Sequence, residues 1–381
     1  MIAMPMFYHC LSIGLEKGLF VPNNRARNRI AKYGAFLEQL DIIVLATQPF
    51  DDFIAPNVHV ISTNSSSRWW YVFDALRLIW KRRKNKYDIV LSQDIAEMGF
   101  LAYVGARVHH AAFAVHDVGY FFHGSYFFRE SFGNKLRTLL GNWLLKRVDA
   151  IRVMSKRSED ILVQERNIPP EAIVRYPFAV DEQFFAPIAA FSKEEADITA
   201  GRPYFLIPAR FVEIKRIDLA IRAFANVAKL HSEPLLVLVG QGPLLESYQQ
   251  LVKKLELEQR VRFVAWTQAM TTWYSQALAT LITSDREGYA MTALESLLCH
   301  TPVIMTDVGC ANEIVRDQDT GYVVPIGDVA AISQAMVNVL LETHPVKKGA
   351  IAFTYQPPVR ETQAFIDLAV GRHQGKYTPK T

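Results

Sequence analysis

The chain has 381 residues, half of them apolar and 21% charged, and carries a formal net charge of +4. This length exceeds one ordinary domain, so two are expected, and the globular composition excludes a disordered chain. So small a charge gives no reason to expect a nucleic-acid partner. Cys10, Cys299 and Cys310 are few, odd in number and without CxxC spacing. That argues against a disulfide framework or zinc site and fits a reducing cytoplasm. The opening MIAMPMFYHC has no charged n-region, so no signal peptide is expected. No segment approaches the roughly 18 uncharged apolar residues of a membrane span. A soluble protein is expected, or at most one lying on a membrane surface.

Apolar runs alternate with helical patterns from end to end, the signature of parallel sheets with crossover helices. In the first half, strands are predicted over 6–12, 42–46, 58–62, 89–93, 111–116, 150–154 and 173–175. Helices between them fall over 25–39, 70–83, 97–104, 135–147 and 155–165. The stretch 187–203, PIAAFSKEEADITAGRP, is rich in small and charged residues and reads as a linker. In the second half, strands are predicted over 204–208, 235–239, 261–264, 279–283, 302–306 and 321–324. Helices fall over 216–230, 244–255, 270–275, 292–298 and 311–315. Each half is a doubly wound α/β unit, in which ligands bind beyond the carboxyl ends of the strands.

Several chemistry-bearing residues follow strands directly. ARFVEIKR brings Arg210, Lys215 and Arg216, and GQGP brings Gly240 and Gly242. His116 and Asp117 come after the first-half strand that ends at Val115. The stretch EGYAMTALE sets Glu287 and Glu295 eight residues apart. Parsed as a strand-to-helix loop followed by a helix, it puts Glu287 on the loop and Glu295 in the second helical turn. The free N–H groups of the helix start lie between them, a setting for an anionic ligand. The plainer readings are a solvated cation pair on a surface loop and two helix-end glutamates favoured by the dipole. A lone GxG is commonly just a turn.

Taken together, these segments resemble the retaining glycosyltransferases of family 4, which have the two-domain GT-B fold. ARFVEIKRID, VGQGP, REGYAMTALES and TPVIMTDVGCANEIVRDQDTGYVVPIGD match the family's motifs in the family's order, from about residue 204 to 328. The resemblance implies a nucleotide-sugar donor in the C-terminal half and an acceptor in the N-terminal half, with chemistry in the cleft between. A departing diphosphate must be neutralised by a metal or by fixed cations. Arg210 and Lys215 supply the metal-free solution, a bidentate fork and a point charge. The resemblance further implies ribose contacts from Glu295 and donor-sugar contacts from Glu287. Gly240, Gly242, Gly288, Ala290, Met291 and Thr292 would complete the donor side, the backbone around 290–292 holding phosphate or sugar oxygens. Gly240 and Gly242 would allow close backbone approach to the ligand.

The first half matches less closely. Where the family has a Gly-Gly loop after the first strand, CLSIGLEKGLF offers Gly14 as the acceptor-loop candidate. YDIVLSQD and AVHDVGYF resemble family segments and make His116 the candidate near the donor anomeric carbon, against a buried structural histidine. YPFAVDEQFF keeps Val180, Asp181 and Phe184 of the family's hinge region but has Phe178 and Ala179 in place of Asn-Gly. Asp317–Asp319 (DQD) has the spacing of a metal-binding D-x-D pattern but aligns with a family turn, so no metal or other cofactor is expected.

The expected organisation is an acceptor domain over 1–186, a linker over 187–203, a nucleotide-sugar domain over 204–355, and a segment 356–381 crossing back to the first domain. The expected activity is metal-independent, retaining transfer from a nucleotide-diphosphate sugar to a glycan, lipid-linked or small-molecule acceptor. A nucleotide-sugar epimerase or a phosphorylase is the alternative among enzymes, and a non-catalytic membrane scaffold the alternative outside them. A NAD-dependent dehydrogenase is excluded, since no strand is followed by GxGxxG. Lys81–Lys86 closes a helix begun by Trp69-Trp70-Tyr71, and 119–148 mixes aromatics with Arg129, Lys135, Arg137, Lys146 and Arg147. Both stretches fit a seat on anionic lipid, or else cations at helix ends over core aromatics. A cytoplasmic protein with peripheral membrane contact is therefore expected.

Overall fold

The computed structural model describes residues 8–22, 24–116, 132–180, 184, 190–267, 269–341 and 358–375. Asp117, Arg129, Asp181 and the start of the first predicted strand lie outside the described residues. Contacts gather the chain into two units, Met1–Ala179 with Pro358–Thr381, and Val180–Pro357.

The first unit is an eight-stranded sheet. Its strands are β1 (His9–Gly14), β2 (Gln39–Val44), β3 (Asp51–Ala55), β4 (Val58–Ser62), β5 (Ile89–Ser92), β6 (Ala112–His116), β7 (Ala150–Val153) and β8 (Ile173–Arg175). They lie in the order β3-β4-β2-β1-β5-β6-β7-β8, all parallel except β3, which runs antiparallel to β4. Crossovers are made by α1 (Arg25–Gly34), α2 (Tyr71–Lys81), α3 (Glu97–His109), α4 (Phe132–Leu145) and α5 (Lys156–Asp160), the last running into a π-helical turn over Ile161–Glu165. The alternation of strand side chains feeds two cores. Leu11 and Ile13 of β1 join the α2–α4 side, while Cys10 joins the α1 side.

The second unit opens with α6 (Lys193–Thr199), held by a capping box between Ser192 and Glu195. Its strands are β9 (Tyr204–Pro208), β10 (Leu235–Val239), β11 (Val261–Val264), β12 (Ala279–Ile282), β13 (Val303–Thr306) and β14 (Gly321–Val324). They form a wholly parallel sheet in the order β11-β10-β9-β12-β13-β14. Helices α7 (Ile217–Leu230), α8 (Leu245–Lys254), α9 (Met270–Gln276), α10 (Met291–Leu298) and α11 (Val329–Leu340) connect or close it. The strand order reverses between β9 and β12, which makes the loops after those two strands the expected ligand site. The chain then returns to the first unit with α12 (Val359–His373), whose Phe365, Ile366, Leu368, Ala369 and Val370 are buried in the α1-side core.

Three expectations are corrected. The stretch 187–203 is not a bare linker. It contains α6, Phe191 packs on Trp273 at 4.7 Å, and the Trp273 indole donates to Glu195 at 3.3 Å. The unit boundary accordingly falls at Ala179/Val180. Residues 311–315 form no helix but a turn closed by the bridge between Ala311 and Val315. Three elements went unpredicted: edge strand β3, exposed along its first three residues; α11, which Asp328 caps by accepting from the Ala331 N–H; and α12, in a segment expected only to cross back to the first domain.

Candidate active site

The site of the second unit is built on the loops after β9 and β12. Thr283, just past β12, donates its hydroxyl to the carbonyls of Lys215 (3.1 Å) and Arg216 (2.9 Å). The Asp285 N–H donates to the Ile214 carbonyl at 3.0 Å. These bonds stitch the two loops together at the point where the strand order reverses. Across them Lys215 Nζ lies 2.6 Å from Glu287 Oε1, and the Ser284 hydroxyl donates to the same oxygen at 2.6 Å. Beside this pair, Arg216 bridges Asp285 (3.2 Å) and Asp218 (3.1 Å). The Arg210 side chain is exposed and forms no hydrogen bond or ion pair among the described residues.

A third loop, after β10, supports the first. A Cβ on Gly240, at φ +153, would stand 1.9 Å from the Ala209 carbonyl oxygen. One on Gly242 would fall 2.5 Å from the Phe211 carbonyl oxygen. The Phe211 N–H donates to the Gln241 carbonyl at 2.9 Å. Both glycines thus serve close packing of loop on loop, a cause distinct from the ligand approach inferred from sequence.

Gly288, Tyr289 and Ala290 are buried, and Ala290 adopts φ +72 to turn the chain into α10. The helix begins at Met291 and Thr292 with no side-chain cap and no acidic residue in its first turn. Its leading N–H groups are therefore available to an anion. One helical turn on, Glu295 Oε2 accepts the Tyr274 hydroxyl at 2.8 Å. Burial and then the Glu295 charge hold that phenol far above its ordinary range, so it stays a donor. Gly309, at φ +54, lets the next loop pass under Tyr289, whose carbonyl a Cβ would approach to 2.6 Å. In the DQD stretch, Asp319 pairs with Arg316 at 2.6 Å, and Asp317 accepts from the Val323 N–H at 3.4 Å.

Arg210, Lys215, Gly240, Gly242, Glu287, Gly288, Ala290, Met291, Thr292 and Glu295 therefore share the loops and helix start at one end of the second sheet. Gly14 and His116 belong to the first unit. A Cβ on Gly14 would overlap the Gln93 side chain, 2.2 Å from its Oε1, so this glycine makes room for the residue after β5. His116 ends β6 with its ring 5.1 Å from that of Phe365. Burial, reinforced by nearby Arg152, holds its imidazole well below the ordinary value, in the neutral form. Sequence reasoning missed Ser284, Tyr274 and Thr283. Ser284 stands inside the SDREG turn, where it was legible as a loop polar residue, whereas nothing local marks Tyr274 as the partner of Glu295.

Two parallel-sheet α/β units with these loops define a GT-B glycosyltransferase fold. The "Glycosyltransferase Family 4" profile matches residues 35–184 and the "Glycosyl transferases group 1" profile residues 190–349. With both halves matched, the chain belongs to the family 4 type of glycosyltransferases. Among curated relatives, an N-acetyl-alpha-D-glucosaminyl L-malate synthase of Bacillus anthracis is 28% identical over 165 residues, 43% of each chain. A Campylobacter jejuni N-acetylgalactosamine-N,N'-diacetylbacillosaminyl-diphospho-undecaprenol 4-alpha-N-acetylgalactosaminyltransferase is 25% identical over 252 residues, 66% of each. The alignments span about half the length of the curated relatives, 43% and 48% in two of the first three. Among solved structures, sucrose-phosphate synthase from Thermosynechococcus elongatus superposes with a TM-score of 0.74 at 18% identity, covering 97% of this chain and 95% of that one. The Anabaena protein HepE in complex with UDP does so with 0.69 at 14% identity, covering 96% and 98%.

Proposed function

We propose that the chain transfers a sugar from a nucleoside-diphosphate sugar to an acceptor, with retention at the anomeric carbon and without a divalent metal. The observation that carries this is the Lys215–Glu287 pair, set with the exposed Arg210 on stitched loops beside an uncapped helix start. Arg210 and Lys215 would neutralise the departing diphosphate, which gains charge as the glycosidic bond breaks. The amides at Met291 and Thr292 would hold its oxygens. Glu287 would place the sugar and Glu295 the ribose. In front-face retention the leaving phosphate oxygen takes the proton of the attacking acceptor hydroxyl, so no enzyme nucleophile is needed. A nucleotide donor is supported by the UDP complex of HepE, and a lipid-linked acceptor by the name of the Campylobacter relative.

Calorimetric titration with nucleoside diphosphates tests the division of labour. Ribose contacts act alike in ground and transition states and so govern binding, whereas contacts at the anomeric centre strengthen as the bond breaks. Glu295→Gln is expected to weaken nucleoside-diphosphate affinity about tenfold. Glu287→Gln is expected to leave that affinity within about twofold and to slow transfer. Equal losses of affinity in the two variants would refute the assignment. Chelation is expected to leave transfer intact, and an absolute requirement for magnesium or manganese would remove Arg210 and Lys215 from the role given them.

The first unit is proposed to rest on anionic lipid. Trp69 is 89% exposed, and Trp70, Phe73 and Trp80 on or beside α2 are also open to solvent. On α4, Phe132, Leu136, Leu139 and Trp143 are exposed at helical spacing along one face, Phe132 by 74%. These side chains are therefore not core residues, although the cations do close helix ends as the alternative has it, Arg83 and Arg147 donating to the Trp80 and Trp143 carbonyls at 3.2 and 2.7 Å. Both helices pack on α3, and Arg83 and Arg147 stack on Trp80 and Trp143 at 5.2 and 3.9 Å. Among the described residues no helix is long and apolar enough to cross a membrane. Sedimentation with phosphatidylserine vesicles is expected to fall as salt rises and to fall further when Lys81, Arg82, Arg83 and Lys84 are neutralised. Equal binding to neutral and anionic vesicles would refute the seat.

A further inference from the structure

Between α1 and α12, over β1 and β5 of the first sheet, lies a cavity of about 340 Å³. That is within the range of small-molecule sites, roughly 300–1,000 Å³. Its depth is apolar, with Leu40, Ile42 and Leu91 from the sheet facing Ile30, Phe365 and Ile366 from the helices. A water cluster would find few partners there, so the depth suits an apolar occupant.

The other part of the lining is polar and comes from the carboxyl-end side of the sheet. Gln93 and Asp94 follow β5, Glu16 follows β1, and His116 ends β6. The strand order reverses between β1 and β5, so this is the position where a doubly wound sheet receives a ligand. Two guanidiniums converge here on Phe178, itself part of the lining. Arg29, in the wall, stacks on that ring at 4.8 Å, and Arg152, behind it, at 4.4 Å. Arg152 is 1% exposed, and Nε donates to the Tyr176 carbonyl at 3.2 Å. Its Nη2 and Arg29 Nε are buried without a hydrogen-bond partner. Neither guanidinium forms an ion pair among the described residues. Buried cations ordinarily have counter-charges. Of the lining carboxylates, Glu16 accepts from the Gly18 N–H at 3.0 Å and its charge favours the Arg29 cation, while Asp94 accepts from the Ala96 N–H at 2.8 Å; neither bonds the open Arg29 Nε or Arg152 Nη2. Burial also pushes the Asp94 carboxyl up to about 6. Burial, and after it the Arg152 charge, disfavours the charged form of His116 at the same end.

We propose that this cavity holds the apolar portion of an anionic amphiphile, whose carboxylate or phosphate lies beside Arg29. As the sugar acceptor, this ligand rests on the transferase reading above; as a bound ligand, it does not.

The test is calorimetric titration of the full chain with decyl phosphate, decanoate and decanol, in the absence of donor. One-to-one binding of at least one anion, about tenfold or more tighter than decanol, is expected, because a charge-assisted bond to Arg is added to the same apolar burial. Whichever anion prevails identifies the head group as phosphate or carboxylate. Arg29→Gln is expected to abolish the preference for the anion while leaving decanol binding in place. Ile30→Trp on α1 and Ile366→Phe on α12 fill the cavity from opposite walls, and either is expected to weaken all three ligands about tenfold. Circular dichroism melts establish that the variants scored are folded. Anions binding no tighter than decanol, or binding untouched in folded filled variants, would overturn the inference. Donor hydrolysis is followed separately. Hydrolysis without amphiphile binding sinks this inference alone, whereas amphiphile binding without nucleotide binding supports the cavity and sinks the transferase reading.

Discussion

Lys215→Ala is expected to lower the turnover of sugar transfer about 10²–10³-fold, the range found when a single preorganised electrostatic stabiliser is removed. The lysine is held in place before any ligand arrives. Its carbonyl is pinned by Thr283, and its ammonium sits 2.6 Å from Glu287. On the proposed reading the bound diphosphate already carries about two negative charges and gains another as it departs, so part of the loss should fall on donor affinity and the larger part on turnover. Removing the ammonium also frees Glu287, whose remaining fixed partner is the Ser284 hydroxyl. Lys215→Ala and Glu287→Gln should therefore be non-additive, with the double variant about as slow as the worse single one. Steady-state kinetics on all three checks this. Turnover of Lys215→Ala within about twofold of the parent would take Lys215 out of the chemistry.

Gly240→Ala is expected to be the most damaging change on this face of the unit, destabilising it by about 3 kcal/mol or more. Two faults coincide. The backbone stands at φ +153, which alanine rarely adopts, and the new methyl would lie 1.9 Å from the Ala209 carbonyl oxygen. That atom is backbone and cannot swing aside, so the loop after β9 must move and carry Arg210 and Lys215 with it. Chemical denaturation should show the loss of stability, and calorimetry a parallel loss of nucleotide affinity. Gly327→Ala serves as the comparison: φ is +81, but nothing lies within 4 Å of the added methyl. It should cost about 1 kcal/mol through backbone strain alone. Equal costs at the two positions would show that the loop contact at Gly240 is slack.

Much of this was legible because parallel strands buried on both faces announce themselves as short apolar runs. LLVLV and YFLIP were read at their observed limits, Leu235–Val239 and Tyr204–Pro208. Glu287 on the loop and Glu295 in the helix also followed from where helical spacing resumes. The omissions have specific causes. β3 is a five-residue edge strand, DDFIA, whose exposure leaves little apolar signal. The α6 signal, SKEE, was present as a capping pattern but was outweighed by its small and charged surroundings. α11 carried both a cap at Asp328 and buried Ile332, Ala335, Met336 and Val339 at helical spacing, so it was readable and overlooked. The Tyr274–Glu295 bond, the Phe178 sandwich and the cavity were not readable, since each joins elements that only the tertiary fold brings together. The reason for Gly240 was equally hidden, because the atom that forbids a side chain belongs to Ala209.

The return of α12 to the first sheet has a consequence for biosynthesis. Phe365, Ile366 and Ala369 cover that sheet only after all of Val180–Pro357 has been translated. During elongation the first unit therefore emerges with one face partly bare, while the second, being continuous, can close as soon as α11 leaves the ribosome. The half of the molecule made first is thus the last to be finished, and in the interval its uncovered β5–β8 face is the surface a nascent-chain chaperone would meet.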